Sequence, residues 1–202
     1  TPKPSSAASD VYKRQQQTFH FTKVAEKPVP SLLRNFSAPV VLEYDYSDDD
    51  LAFLMAHDSD AFNRWEAGQR LATRRLLALT KAAQQAGSTL SVDVALSDSL
   101  RASLNDQTLD PAFRETVLTL PAETVIAEQM EVIDPQAIHT ARRFLRLSLA
   151  QDLRKDFSAI YKANQTEGAY SPDAASSGKR ALKNLALSYP VSYTHLTLPT
   201  KA

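Results

Sequence analysis

At Ser47 the hydrophobic pattern of the chain changes its period, and this change limits the possible folds more than any other feature. Before it, residues 18–24 (TFHFTKV) and 40–46 (VVLEYDY) alternate apolar and polar, the mark of half-buried strands. Phe19, Phe21 and Lys23 fall on one face of the first, and Val40, Leu42, Tyr44 and Tyr46 on one face of the second. Glu43 and Asp45 point the other way. Between them Pro28, Pro30 and Pro39 remove ladder donors, so residues 28–39 read as loop or edge strand. Two or three strands do not close a stable sheet alone, so this stretch reads as the last strands of a β-domain.

After Ser47 the spacing becomes helical. Ser47 is a capping residue, Asp48, Asp49 and Asp50 sit where the helix dipole favours negative charge, and Asp50 takes the capping-box position. Leu51, Leu54 and Met55 supply the apolar face. A second helix is expected from near Ser59 to Gln85, burying Phe62, Trp65, Leu76 and Leu79 and stopping at Gly87. Arg64 and Glu66 flank that core and are candidates for ion pairs across the domain junction. Ser97 is expected to cap a segment with Leu100 and Leu104. Asp110-Pro111 starts a helix with Phe113, Val117 and Leu118. Pro121 precedes a helix with Val125, Ile126 and Met130, and Asp134-Pro135 opens one of about thirty residues reaching Asn164. Ile138, Ala141, Leu145, Leu149, Leu153, Phe157 and Ile160 form its apolar stripe, with Arg142, Arg143, Arg146, Arg154 and Lys155 mostly off it. Ser171-Pro172 starts a last helix with Leu182, Leu185 and Leu187, and the helical pattern breaks off at residue 190. Uneven helices joined by short loops fit an irregular helical-repeat, α-solenoid-like domain better than a four-helix bundle, although no fixed-period repeat is present.

The residues offer little chemistry. His20, His57, His139 and His195 are the histidines, and none stands at HExxH spacing. His57 and His139 read as surface or capping residues. The run Asp48–Asp50 reads as a helix start rather than a cation site. Gly68, Gly87, Gly168 and Gly178 are too dispersed for a phosphate loop, and there is no cysteine for thiolate ligation or a disulfide. With 23 basic and 23 acidic residues, and no aromatics interleaved with the arginines of the long helix, neither nucleic acid nor an anionic membrane is an expected partner. No apolar run is long enough to span a bilayer.

Five strings carry a resemblance: PVPSLLRNFSAPVVLEYDY (28–46), SDDDLAFLMAHDSDAFNRWEAGQ (47–69), LDPAFRETVLTLPAE (109–123), IDPQAIHTAR (133–142) and GKRALKN (178–184). In this order they resemble the aminopeptidase N family of bacterial, plant and apicomplexan type, over nearly all of 18–187. The resemblance implies that 16–46 holds the C-terminal strands of a small β-sandwich domain and 47–189 the N-terminal part of a helical C-terminal domain. It implies a parent enzyme that removes single N-terminal residues from peptides, with zinc held by HExxH and a distant glutamate, and with GxMEN binding the free amine. Neither motif occurs in this sequence, so no catalytic, cofactor-binding or metal residue carries over, and the chain is expected to be inactive alone and to bind no zinc. Family precedent implies part of the roof over the active site in a cytoplasmic monomer. The strings DVYKRQ and VSYTHLTLPTKA resemble translated sequencing-adapter read-through, so 1–15 and 190–202 are set aside as artefactual tails. A free-standing helical-repeat module that binds a partner protein or peptide, or a small structural adaptor, are the alternatives.

Overall fold

Ser47 starts the helical part in the computed structural model, which describes residues 18, 20–85, 87–92 and 94–194. The capping box forms in both directions. Asp50 N donates to Ser47 Oγ at 3.1 Å and Ser47 N donates to Asp50 Oδ2 at 3.0 Å. From this cap α1 runs Asp48–His57 and buries Leu51, Leu54 and Met55.

The elements that follow are α2 (Ala61–Ala83), α3 (Val94–Asn105), α4 (Pro111–Leu118), α5 (Glu123–Ala127), α6 (Pro135–Asp152), α7 (Arg154–Ala163) and α8 (Ala174–Thr194). Both Asp-Pro starts form as the sequence predicts. Asp110 accepts from Phe113 N and Asp134 from Ala137 N, each at 3.0 Å, with the proline in the first turn. Packing is not a simple stack of successive pairs. The α2 helix lies against α1 and also α6, while α8 lies against α4, α6 and α7. Each helix buries a stripe whose width suits its own neighbours, so no repeat period is imposed on the sequence.

Several boundaries differ from expectation. The α2 helix starts near Ser59 as expected, capped by Asp60, but ends at Ala83 rather than Gln85; Gly87, at φ 80°, lies in the turn beyond. Ser97 is not a cap. It lies inside α3 and its hydroxyl donates back to Val94 O. Met130 falls beyond the end of α5, which buries Ile126 while Val125 is exposed. The long helix breaks at Leu153 (φ −102°, ψ 15°) into α6 and α7. The stripe nevertheless continues across the break, and Ile138, Ala141, Leu145, Leu149, Leu153, Phe157 and Ile160 are all buried. The last helix starts after Asp173, which accepts from Ser176 N, and it passes through Pro190 to Thr194 instead of ending at 190. It buries Gly178, Leu182, Ala186 and Tyr189, whereas Leu187 is exposed.

The described residues of the segments expected as strands take no strand conformation in this structure. Among the described residues of 16–46 no strand forms, and the regular element there is a 3-10 turn at Arg34–Phe36. An alternating segment becomes a strand only when its amides and carbonyls meet a partner strand, and none lies beside it here. The described residues up to Pro30 separate as a unit of their own; within them Phe21 is 84% exposed, and Phe19 lies outside the described residues. Residues 38–46 belong to the unit that carries the helices.

Candidate functional site

The segment that enters the helical part is held to α1 and α2 at two places, and a groove lies between them. The first clamp is built on Arg34. Its flanking residues Leu33 and Asn35 adopt φ 53° and 54°, a left-handed conformation that non-glycine residues reach only when their surroundings hold them. Arg34 Nη1 donates to Asp58 Oδ1 at 3.1 Å and Nη2 to Ser59 Oγ at 2.8 Å. Asn35 N donates to Asp60 Oδ2 at 2.9 Å. Asn63 Nδ2 reaches Leu32 O at 2.8 Å and Ser31 Oγ at 3.0 Å.

The carboxylates of this clamp are enclosed while Arg34 is half exposed. Asp58 Oδ1 also accepts from Asp60 N at 2.8 Å, and its Oδ2 is buried with no partner. The Asn63 amide holds the Asp60 carboxyl below the usual carboxylate range, helped by the Asn35 amide and the Arg34 charge and opposed by burial.

The second clamp uses arginines of α2 one turn apart. Arg70 Nη2 donates to Tyr44 O at 2.9 Å and lies over the Tyr46 ring at 5.3 Å. Arg74 Nη1 donates to Tyr46 O at 2.8 Å and to Asp48 Oδ1 at 3.0 Å, and Arg75 pairs with Asp48 Oδ2. The acid run at 48–50 is thus a helix start whose first carboxylate also joins α1 to α2.

Between the clamps lies a groove of about 350 Å³. Its walls include Leu33, Val40 and Leu42 from the entering segment and Leu54, Phe62 and Ala67 from the helices, with Glu66 and Arg70 among the lining. Phe62 and Trp65 were expected in the core, and this is a correction. Phe62 is 37% exposed and Trp65 only partly buried, their rings 5.6 Å apart and tilted. The buried face of α2 instead carries Arg64, Ala67, Gly68, Leu71, Ala72, Leu76 and Leu79, so 62 and 65 occupy its flank. Arg64 does not pair across the junction either. It donates through Nε to Met55 O at 2.8 Å and through Nη1 to Asp106 Oδ2 at 2.9 Å, tying α1 and α2 to the end of α3.

His20 and His57 are exposed, His57 beside Phe53 at 5.0 Å, and His139 Nδ1 lies 3.0 Å from Glu123. His195 is outside the described residues. Among the described residues no group of three or more His, Cys, Asp or Glu could hold a metal ion, and no helix is long and apolar enough to cross a membrane. The long-helix arginines are not all a solvated face. Arg142 donates to Pro121 O at 2.8 Å and Arg146 to Ser188 Oγ at 2.9 Å. Sequence reasoning missed Arg34, Asp58, Asp60 and Asn63 as a unit; the available signal was two aspartates flanking one serine at a helix start.

Two family models match the chain. A domain of unknown function with ARM repeats covers residues 48–200, and a domain of unknown function with an Ig-like fold covers residues 7–45. Aminopeptidase N of Escherichia coli is 42% identical over 182 residues, which is 90% of this chain and 21% of that protein. Aminopeptidase N of Caulobacter vibrioides is 42% identical over 170 residues, 84% of this chain and 19% of that protein. A crystal structure of Legionella pneumophila aminopeptidase A in complex with aspartic acid superposes with a TM-score of 0.73 at 28% identity, covering 89% of this chain and 21% of that one. The chain thus spans about a fifth of the length of the relatives it matches.

Proposed function

The chain belongs to the aminopeptidase N family, and from that membership we propose that it is a non-catalytic part of a zinc aminopeptidase that removes N-terminal amino acids from peptides. In this reading its helices form part of the roof over the active site, and 16–46 closes a β-sandwich domain ahead of the helical part at 47–189. The observation that carries the reading is the arrangement of the junction. The matches to the Ig-like and ARM-repeat families meet at residues 45–48, and the two clamps fasten the segment leading to that point to the first two helices, one at Arg34 and one at Tyr44 and Tyr46. Such fastening suits a part that positions one domain against another in a peptidase acting on peptide substrates as a cytoplasmic monomer.

Zinc belongs to the parent enzyme in this proposal. The described residues of this chain do not fit that metal, since no three of their His, Cys, Asp or Glu side chains converge, and no catalytic step is assigned to them. HExxH and GxMEN are absent from the sequence.

The test has two arms. The purified 202-residue chain is assayed on an alanyl chromogenic substrate with and without zinc, and no turnover is expected. The source locus is then sequenced upstream, where a continuous frame carrying GxMEN and HExxH is expected. Chelator-sensitive hydrolysis by the isolated chain would overturn the non-catalytic assignment. A start codon immediately before Gln16 would favour the free-standing repeat module instead.

A further inference from the structure

Arg114, on α4, is 8% exposed, and a guanidinium enclosed to that degree ordinarily has a carboxylate beside it. Its Nη1 donates to Leu104 O at 3.2 Å, while the enclosed Nε reaches no acceptor, and no described carboxylate forms an ion pair with it. The two nearby acids are committed elsewhere. Asp106 takes Arg64 on Oδ2 and the amide and hydroxyl of Thr108 on Oδ1, and Asp110 caps α4 through Phe113 N. They act on Arg114 only through space, against the burial that lowers its pKa.

Arg114 lines a pocket of about 470 Å³ whose walls include Thr108, Asp110, Ile160, Asn164 and Lys179. Lys179 is exposed and forms no ion pair among the described residues. Two cations against the one carboxylate of Asp110 leave a net charge of +1 in the lining. Asn164, itself buried, spends its Nδ2 on Ile160 O at 2.8 Å, which fixes the amide in that wall. A polar pocket with surplus positive charge in its lining, backed by an enclosed cation with no direct ion pair among the described residues, suits an anion.

We propose that this pocket binds a small oxyanion, a carboxylate or a phosphate group, held between the Arg114 guanidinium and the Lys179 ammonium. A guanidinium offers two parallel donors to either group, and an ammonium adds a second point of charge. This site is separate from the junction groove and does not depend on the proposed aminopeptidase role.

The 202-residue chain is titrated with inorganic phosphate and, separately, with acetate, against sodium chloride at matched ionic strength. Calorimetry and melting temperature are both read. Saturable binding of phosphate or acetate with a raised melting temperature is expected, and the stronger of the two assigns the anion class. Lys179→Ala, a surface change, is expected to weaken binding about fivefold, the scale of one exposed charge contact. Arg114→Met is expected to abolish it. Because burial disfavours the Arg114 charge and Asp106 and Asp110 offset it only through space, Arg114→Met is also expected to raise the melting temperature in chloride. A response to chloride equal to that of phosphate and acetate would overturn the proposal. So would binding left unchanged in both variants, or a melting temperature lowered by Arg114→Met, which is what a purely structural arginine would give.

Discussion

Tyr189 offers the sharpest test of how the helices are held together. It is 3% exposed, its hydroxyl donates to Leu118 O at 2.8 Å, and its ring stacks on Phe157 with centroids 4.5 Å apart. Leu118 ends α4, where a carbonyl lacks an intrahelical partner, so the tyrosine satisfies a group the helix cannot. Tyr189→Phe keeps the stack and removes only the hydroxyl. The carbonyl left enclosed costs about 1–2 kcal/mol. With a urea m-value of about 2 kcal/mol/M, the midpoint should fall by roughly 0.5–1 M at unchanged m. Tyr189→Ala, which also empties the site, should cost about 3–5 kcal/mol. A pH arm separates burial from packing. Burial pushes the Tyr189 hydroxyl up to about 12 from an ordinary 10.0. Its folded value lies above its unfolded one, so its contribution is full below pH 10.0 and is lost as pH rises toward about 12. Each pH unit in that window costs about 1.4 kcal/mol that Tyr189→Phe should not lose. Stability difference between the two proteins, measured by urea melts across that window, should shrink and then reverse. Parallel alkaline losses in both proteins would refute the reasoning.

Other perturbations have signs fixed by the geometry. Ser47→Ala removes the acceptor for Asp50 N and should cost about 1 kcal/mol in a chemical melt. Asp60 has a depressed folded pKa, so its contribution is present above its unfolded value of 3.8 and is lost as pH falls through the folded one. Asp60→Asn should therefore flatten the acid limb of the stability profile. At Gly178 an added Cβ would lie 3.0 Å from Ala112 N and 3.3 Å from its Cβ, because α8 crosses α4 at that point. Gly178→Leu should cost about 1–3 kcal/mol, read from the thermal midpoint. The clamps reach α2 at Asn63 and Arg74, eleven residues apart or about 16 Å of helix. Arg34→Met and Arg74→Met should then add to within about 0.5 kcal/mol in a double-mutant cycle.

Three helix starts were legible because each is decided by a few neighbouring residues, whereas the starts expected at Ser97 and Ser171 fall elsewhere. Ser47 with Asp50, Asp110 with Pro111, and Asp134 with Pro135 contain their own cap chemistry, and all three form. The apolar stripe from Ile138 to Ile160 was legible for the same reason, since a period of three to four survives the break at Leu153. What the pattern could not supply was which side of a helix meets which neighbour. Phe62 and Trp65 are the largest apolar residues at the start of α2, yet the buried side of that helix carries Ala67, Gly68 and Ala72, with Gly68 against Met55 of α1. Size argued for the core, while close helix approach required the opposite. The GKRALKN string shows the same effect, because Gly178 is where α8 meets the backbone of α4.

The junction was illegible for a different reason. Alternation at 40–46 is an instruction that a strand partner must complete, and Val41 at 90% exposure is a residue whose partner is absent from the described residues. The clamps on either side do not need that partner. Arg34 is fixed by the carboxylate that ends α1 and by the Ser59 hydroxyl, the Asn35 amide by the carboxylate that caps α2, and Tyr44 and Tyr46 through their carbonyls, which any residue would present. Side-chain pattern therefore governs what the segment can pair with, while backbone acceptors and two enclosed aspartates govern where it leaves the helices. A chain built this way holds residues 31–46 against its first two helices even when that segment is unpaired.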